Sequence, residues 1–250
     1  NLQGEFQYMP EFKEAKNFPR KEDDLYRFPL KKWGPWLFTA LEDSLDFQLV
    51  LDVMQLKVGF LPLGDFKEDK SRNKDYLVNA HWALYCDNYL EGFHIPFVHN
   101  DLNAVLDYKK YNTQLYPFCN LQVGHASGGE HIFDLPEDHE DYGQQISAYY
   151  FWIFPNMMFN FYPWGCSINI VKPISLNRTK VSFISYVLDE SKLDTGAGAS
   201  IDKVEREDEF VVEGVFKGMS SRVYTTGRFS PKMEKGVHQF RSLLAQFLSQ

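Results

Sequence analysis

The stretch ISAYYFWIFPNMMFNFYPWGCSINIVKPIS, residues 146–175, narrows the fold more than any other part of the chain. It is dense in β-branched and aromatic residues, and it is broken twice, at Phe154-Pro155-Asn156 and at Pro163-Trp164-Gly165, by residues that favour turns. Residues 179–188, TKVSFISYVL, alternate as a half-buried strand does. Strands that follow one another through such short turns pair antiparallel, because a parallel pair needs a crossover of a dozen or more residues. This part of the chain is thereby committed to an antiparallel sheet.

The remaining segments are read around that sheet. Residues 1–30 are polar and punctuated by Pro10, Pro19 and Pro29, which gives an irregular lead-in. LKKWGPWLFTAL (30–41) ends in an apolar run suited to a buried strand, and LDFQLVLDVM (45–54) reads as a short helix. Over 77–97 the residues Leu77, Trp82, Leu84, Tyr85, Tyr89 and Phe93 fall at roughly helical spacing until Pro96, which predicts a helix that ends or kinks there. Residues 112–136 mix strand-like pieces with a Gly-rich turn, 195–200 is a flexible connection, and 201–221 is charged and then amphipathic. At the C-terminus Ser230 and Pro231 read as a cap and first-turn proline, with Met233, Val237, Phe240, Leu244 and Phe247 on one helical face. The simplest architecture is α+β, an antiparallel sheet wrapped on a long C-terminal helix.

Composition bounds the function. A net charge of −8 and the lack of a basic stripe argue against nucleic acid as a partner. No apolar run approaches the roughly 18 residues of a membrane span. Cys86, Cys119 and Cys166 are odd in number and far apart, which suits reduced thiols and a cytoplasmic setting.

Against this background EGFHIPFVH (91–99) stands out, because a core needs neither the carboxylate nor the two histidines. A helix ending at Pro96 carries Glu91 and His94 on one face, at i and i+3. The chain then turns, so that His99 swings back toward His94. Two imidazoles and a carboxylate with coordination positions left over suit Fe(II) and oxygen chemistry. Zinc hydrolases use the same donors, so the triad alone does not choose the metal.

CDNYLEGFHIPFVH (86–99) resembles the mononuclear-iron motif of the Rieske-type oxygenases, the family of ring-hydroxylating dioxygenases and quaternary-amine monooxygenases. FWIFPNMMFNFYP and VKPIS resemble the family's central strands, and EREDEFVVEGVFKGMSSRVYTTGRFSPKMEKGVHQF resembles its closing segment. The resemblance implies a catalytic mononuclear-iron domain of the helix-grip (START-like) fold over 31–250. By position it implies that His94, His99 and Asp208 bind Fe(II), with Glu205, Glu207 and Glu209 close enough in sequence to compete for the third place. Glu91 falls where the family has the acid linking the iron site to a neighbouring subunit's cluster, and a Glu there resembles the carnitine-oxygenase branch. Asn88, one turn earlier, either faces the iron or is a polar helix residue.

The family's electron-transfer domain holds a [2Fe–2S] cluster in C-x-H and C-x-x-H pairs, and neither pair occurs in these 250 residues. NLQGEFQYMPEF resembles the family segment just after that domain. The expectation is therefore a cluster on a missing domain, a homotrimer when complete, electrons from a Rieske domain and reductase, and no turnover by this chain alone. The expected reaction is O2-dependent hydroxylation, dihydroxylation or oxidative dealkylation of an aromatic or quaternary-amine small molecule. Glu91 tips the substrate toward the amines. The competing reading is a helix-grip carrier that binds an apolar ligand without chemistry; a zinc hydrolase is weaker, for want of a separately placed general base.

Overall fold

The structure is a computed structural model, and it describes residues 1–42, 44–196 and 201–249. The chain divides into two compact units, Asn1–Asp46 and Phe47–Gln250. Of the 195–200 connection, residues 197–200 lie outside the described residues.

The first unit is held by local contacts. Up to residue 29 it consists of turns, bends and a 3-10 turn at Lys21–Asp23, with Phe18 packed against Phe6 and Phe12, each at 4.8 Å between ring centroids. The apolar run at 30–41 is not one buried strand. Gly34, at φ 54°, turns the chain between β1 (Leu30–Trp33) and β2 (Trp36–Thr39), which form a hairpin with Trp33 opposite Trp36. Alternation then leaves Leu30 and Leu37 exposed while both tryptophans are buried.

The second unit contains the sheet. After α1 (Phe47–Val58), which runs one turn beyond the helix expected at 45–54, come β3 (Lys67–Glu68) and β4 (Lys74–Val78). β5 (Asn112–Tyr116), β6 (Cys119–His125), β7 (Ile146–Ile153), β8 (Met157–Tyr162), β9 (Gly165–Ser175) and β10 (Arg178–Val187) follow. They pair antiparallel in the order β3-β10-β9-β8-β7-β6-β5, with β4 also on β10. The central strands β6, β7 and β8 are buried along nearly their whole length, so both faces of the sheet are covered. That explains their continuous apolar character.

Register decides which side chains meet. Gln122 pairs with Tyr150, Tyr150 with Asn160, and Asn160 with Ser167, so these four share one face. Trp152, on the same face, packs against Phe240 of α6 (Lys235–Leu248) at 5.2 Å, and Phe240 also meets Trp82 of α2 (Trp82–Leu90) at 5.7 Å. Burying Phe240 completely stabilises this layer by about 1.5–3 kcal/mol. Gly236 permits the close approach, because a Cβ there would lie 2.8 Å from the carbonyl oxygen of Leu90. Ser230 does not cap α6. Its hydroxyl accepts from Met233 in a preceding turn, and the helix starts at Lys235.

The helix predicted over 77–97 breaks up. Leu77 belongs to β4, His81 caps α2 by accepting from the Ala83 amide, and α2 stops at Leu90, six residues before the proline. Pairing of Val78 with Thr179 overrides the apparent helical spacing. Two short helices follow, α3 (Ile95–Val98) and α4 (Asn100–Val105), and the longest helix, α5 (Ile201–Met219), packs on α2. Among the described residues no helix is long and apolar enough to cross a membrane.

Candidate metal centre

The turn after α2 sets the first half of the site. Glu91 leaves the helix in an extended conformation, and its Oε2 accepts from the amides of Phe93 (2.9 Å) and His94 (3.2 Å). Gly92 lets this turn lie on Tyr111, whose ring would come within 2.5 Å of a Cβ at that position. Glu91 and His94 therefore do not share a helix face; a carboxylate-capped turn brings them together instead, with Glu91 Oε1 at 2.6 Å from His94 Nδ1. Pro96 opens α3 rather than ending a helix, since a first-turn proline gives up no hydrogen bond. One helical turn later His99, 1% exposed, faces His94 with the two Nε2 atoms 3.1 Å apart.

The second half comes from α5. Asp208 Oδ1 lies 3.0 Å from His99 Nε2 and 3.4 Å from His94 Nε2. Asn88 Nδ2 donates to the same oxygen at 2.6 Å, so Asn88 bears on Asp208 as a positioning contact. The neighbouring acids point elsewhere. Glu207 Oε2 is 2.8 Å from His99 Nδ1, and Glu205 Oε2 accepts from the Tyr85 hydroxyl at 2.5 Å. Of the acids that compete in sequence for the third place, Asp208 is the one directed at both Nε2 atoms.

This donor set fits a metal ion. A carboxylate only accepts, so Glu91 and Glu207 keep the Nδ1 protons in place and leave each Nε2 lone pair facing inward. The three ligand atoms lie within 4.8 Å of one another. Their separations of 3.0–3.4 Å match metal bonds of about 2.0–2.2 Å meeting at roughly 90–110°. In the metal-free protein the same contacts govern protons. Burial works against charge on His94, but hydrogen bonds to Asp208 and Glu91 overcome it and raise its pKa to about 9. Burial likewise opposes the Asp208 carboxylate, and the two histidines outweigh it and hold the group below its ordinary value.

Beside these atoms lies a cavity of about 120 Å³ between α2, α5 and the sheet face of Tyr150 and Asn160. Its wall includes Tyr85, Tyr89, Tyr111 and Tyr162. Glu205 also faces it, a residue that reading by sequence weighs only as a rival ligand.

Residues 63–250 match the family model described as the ring hydroxylating alpha subunit (catalytic domain). The chain is similar to the chloroplastic choline monooxygenase of Beta vulgaris, with 29% identity over 94% of this chain and 53% of the relative. Its counterpart in Arabidopsis thaliana is 30% identical over 91% of this chain and 56% of the relative. The chain thus spans about half the length of the curated relatives it matches. The crystal structure of the quaternary ammonium Rieske monooxygenase CntA superposes with a TM-score of 0.70 at 19% identity, over 98% of this chain and 68% of that one, a likeness of fold. With 188 of its 250 residues under the family model, the chain belongs to the catalytic-domain family of ring-hydroxylating alpha subunits.

Proposed function

We propose that this domain binds one Fe(II) through His94, His99 and Asp208 and oxidises a small quaternary ammonium compound with O2. The observation that carries the reading is the approach of two Nε2 atoms and one carboxylate oxygen to within 3.4 Å of one another, with both Nδ1 atoms held by acids. Catalytic domains of this family use a mononuclear non-haem iron. Bound there, the iron would supply the oxygen activation. The chain's own residues do the rest. Glu91 and Glu207 fix the two rings, Asn88 orients the Asp208 carboxylate, and the aromatic wall keeps water from the reacting carbon.

The cavity argues for the amine rather than a fused-ring hydrocarbon. Its wall offers the rings of Tyr85, Tyr89, Tyr111 and Tyr162, and the matching choline monooxygenases are named for a quaternary amine. Aromatic faces attract a quaternary ammonium as well. In this proposal two electrons per O2 come from a Rieske [2Fe–2S] domain and a reductase, with Glu91 at the contact and the complete protein a homotrimer. The helix-grip description is supported by Phe240, which sits between Trp82 and the sheet residue Trp152. Three buried cysteines suit a reducing compartment such as the cytoplasm.

The test is turnover by the iron-loaded protein with O2 and a competent Rieske donor and reductase. An oxidised product from a quaternary amine such as choline, and none from naphthalene, is expected. A cis-diol from naphthalene, or amine oxidation that survives removal of the mononuclear iron, would overturn the proposal.

A further inference from the structure

One charged group in the cavity has no use in the metal centre. Glu205 is 3% exposed and lines the cavity, one helical turn before Asp208 and on the same face of α5. Its Oε2 accepts from the Tyr85 hydroxyl, whereas its Oε1 is buried and takes no hydrogen bond among the described residues. A buried carboxylate oxygen left unpaired is costly unless a donor or a cation meets it. The other cavity acids are already engaged, Glu91 by His94 and the turn amides, Asp208 by both histidines and Asn88.

The rest of the wall has a consistent chemistry. Tyr85, Tyr89, Tyr111, Tyr150, Tyr162 and Phe183 present aromatic rings. Asn160, Ser167 and Asn169 hydrogen-bond mainly to one another. Among the described lining residues there is no lysine or arginine. A ligand carboxylate would therefore meet Glu205 and find no fixed cation away from the histidine centre. A cation would meet both a carboxylate and aromatic faces.

We propose that Glu205 is the substrate-binding carboxylate of this domain, and that it receives the ammonium head of a small quaternary amine that carries no carboxylate of its own. The inference rests on the quaternary-amine reading above and adds to it the residue and the excluded class. Burial pushes the Glu205 carboxyl well above its usual range, and the Tyr85 hydrogen bond offsets part of that; a cation in the cavity supplies the countercharge that the ionised form lacks.

Isothermal titration calorimetry of the anaerobic, iron-loaded protein tests this with three probes: choline, its neutral carbon isostere dimethylbutanol, and L-carnitine. Choline should bind at least about tenfold more tightly than either of the others, a difference of about 1.4 kcal/mol. Glu205→Gln keeps an acceptor for Tyr85 and removes the charge. It should weaken choline about tenfold or more, leave dimethylbutanol unchanged, and keep iron uptake. Should that variant not fold, Glu205→Asp keeps the charge but withdraws it, and a selective loss of choline affinity is expected there. Choline that binds well and equally to the parent and the variant overturns the Glu205 assignment and leaves the amine reading standing, with the rings alone holding the cation. Carnitine binding as tightly as choline overturns the excluded class. Loss of iron uptake in Glu205→Gln makes the residue part of the metal centre and overturns the assignment. No binding of choline to the parent overturns the amine reading itself.

Discussion

Two buried clusters of charge flank β7, and they solve the same problem differently. Tyr149 belongs to one of them. Its hydroxyl donates to Asp141 Oδ2 at 2.9 Å, and Asp141 and Glu140 both pair with Lys57 Nζ, at 3.1 and 3.0 Å. Lys57 is fully buried, yet the two carboxylates pair with its ammonium, and His139 holds the Lys57 carbonyl from the side. Tyr150, the next residue, lines the other cluster, where two imidazole Nε2 atoms face each other at 3.1 Å beside an aspartate. The first cluster contains its own cation and joins α1 to the 139–141 turn. The second collects lone pairs at one point, with no lysine or arginine among the described lining residues. Burial of charge is common to both; convergence of ligand atoms distinguishes the site from the structural pair.

Substitutions should separate the two. His94→Ala and His99→Ala should each abolish O2 consumption coupled to substrate, while the variants still fold. Retained turnover in either would remove that histidine from the centre. Lys57→Ala should do the opposite. Removing one partner of a buried pair costs about 3–5 kcal/mol, read by denaturant unfolding, while the folded fraction still takes up iron. If Lys57→Ala loses iron binding at unchanged stability, the two clusters are not independent.

Smaller effects sharpen the contrast. Glu207→Gln should weaken Fe(II) binding about 10–100-fold through looser orientation of His99, as loss of an outer hydrogen-bond partner typically does, measured by competition with a chelator. An unchanged affinity would make Glu207 a solvated neighbour. The metal-free protein should also depend on pH. His94 has a folded pKa raised to about 9 from 6.5. Its contribution to stability is therefore fully present below about pH 6.5 and is lost as pH rises through about 9. Metal affinity should rise over the same window as protons leave the ring. A flat stability profile between those limits in the metal-free protein, or one that His94→Gln leaves unaltered, would contradict this assignment.

How much of this is legible in the sequence depends on the range of the interactions. The strands over 146–188 are, because aromatic and β-branched runs between turn residues specify a sheet locally. The segment 77–97 is not. Its spacing looks helical, but Val78 is claimed by a strand partner at Thr179, and the break at Glu91 is made by a carboxylate capping its own turn. Pro96 has two meanings, helix end or helix start, and only the path of the preceding turn selects the second. The proximity of His94 to His99 follows from spacing and a turn, whereas the meeting with Asp208 spans 109 residues and is suggested only by resemblance to a family. The separate uses of Glu205, Glu207 and Asp208 are invisible in EREDE. They depend on which side of α5 meets Tyr85, His99 and Asn88.

Three side chains from two distant segments, His94, His99 and Asp208, meet at one point. Anaerobic titration of the metal-free protein with Fe(II), run in parallel on Asp208→Ala, tests it most directly. Saturation at about one iron per chain is expected for the parent, as a facial triad binds a single ion, and no tight uptake by the variant. Uptake by Asp208→Ala equal to the parent's, or none by the parent, would contradict it.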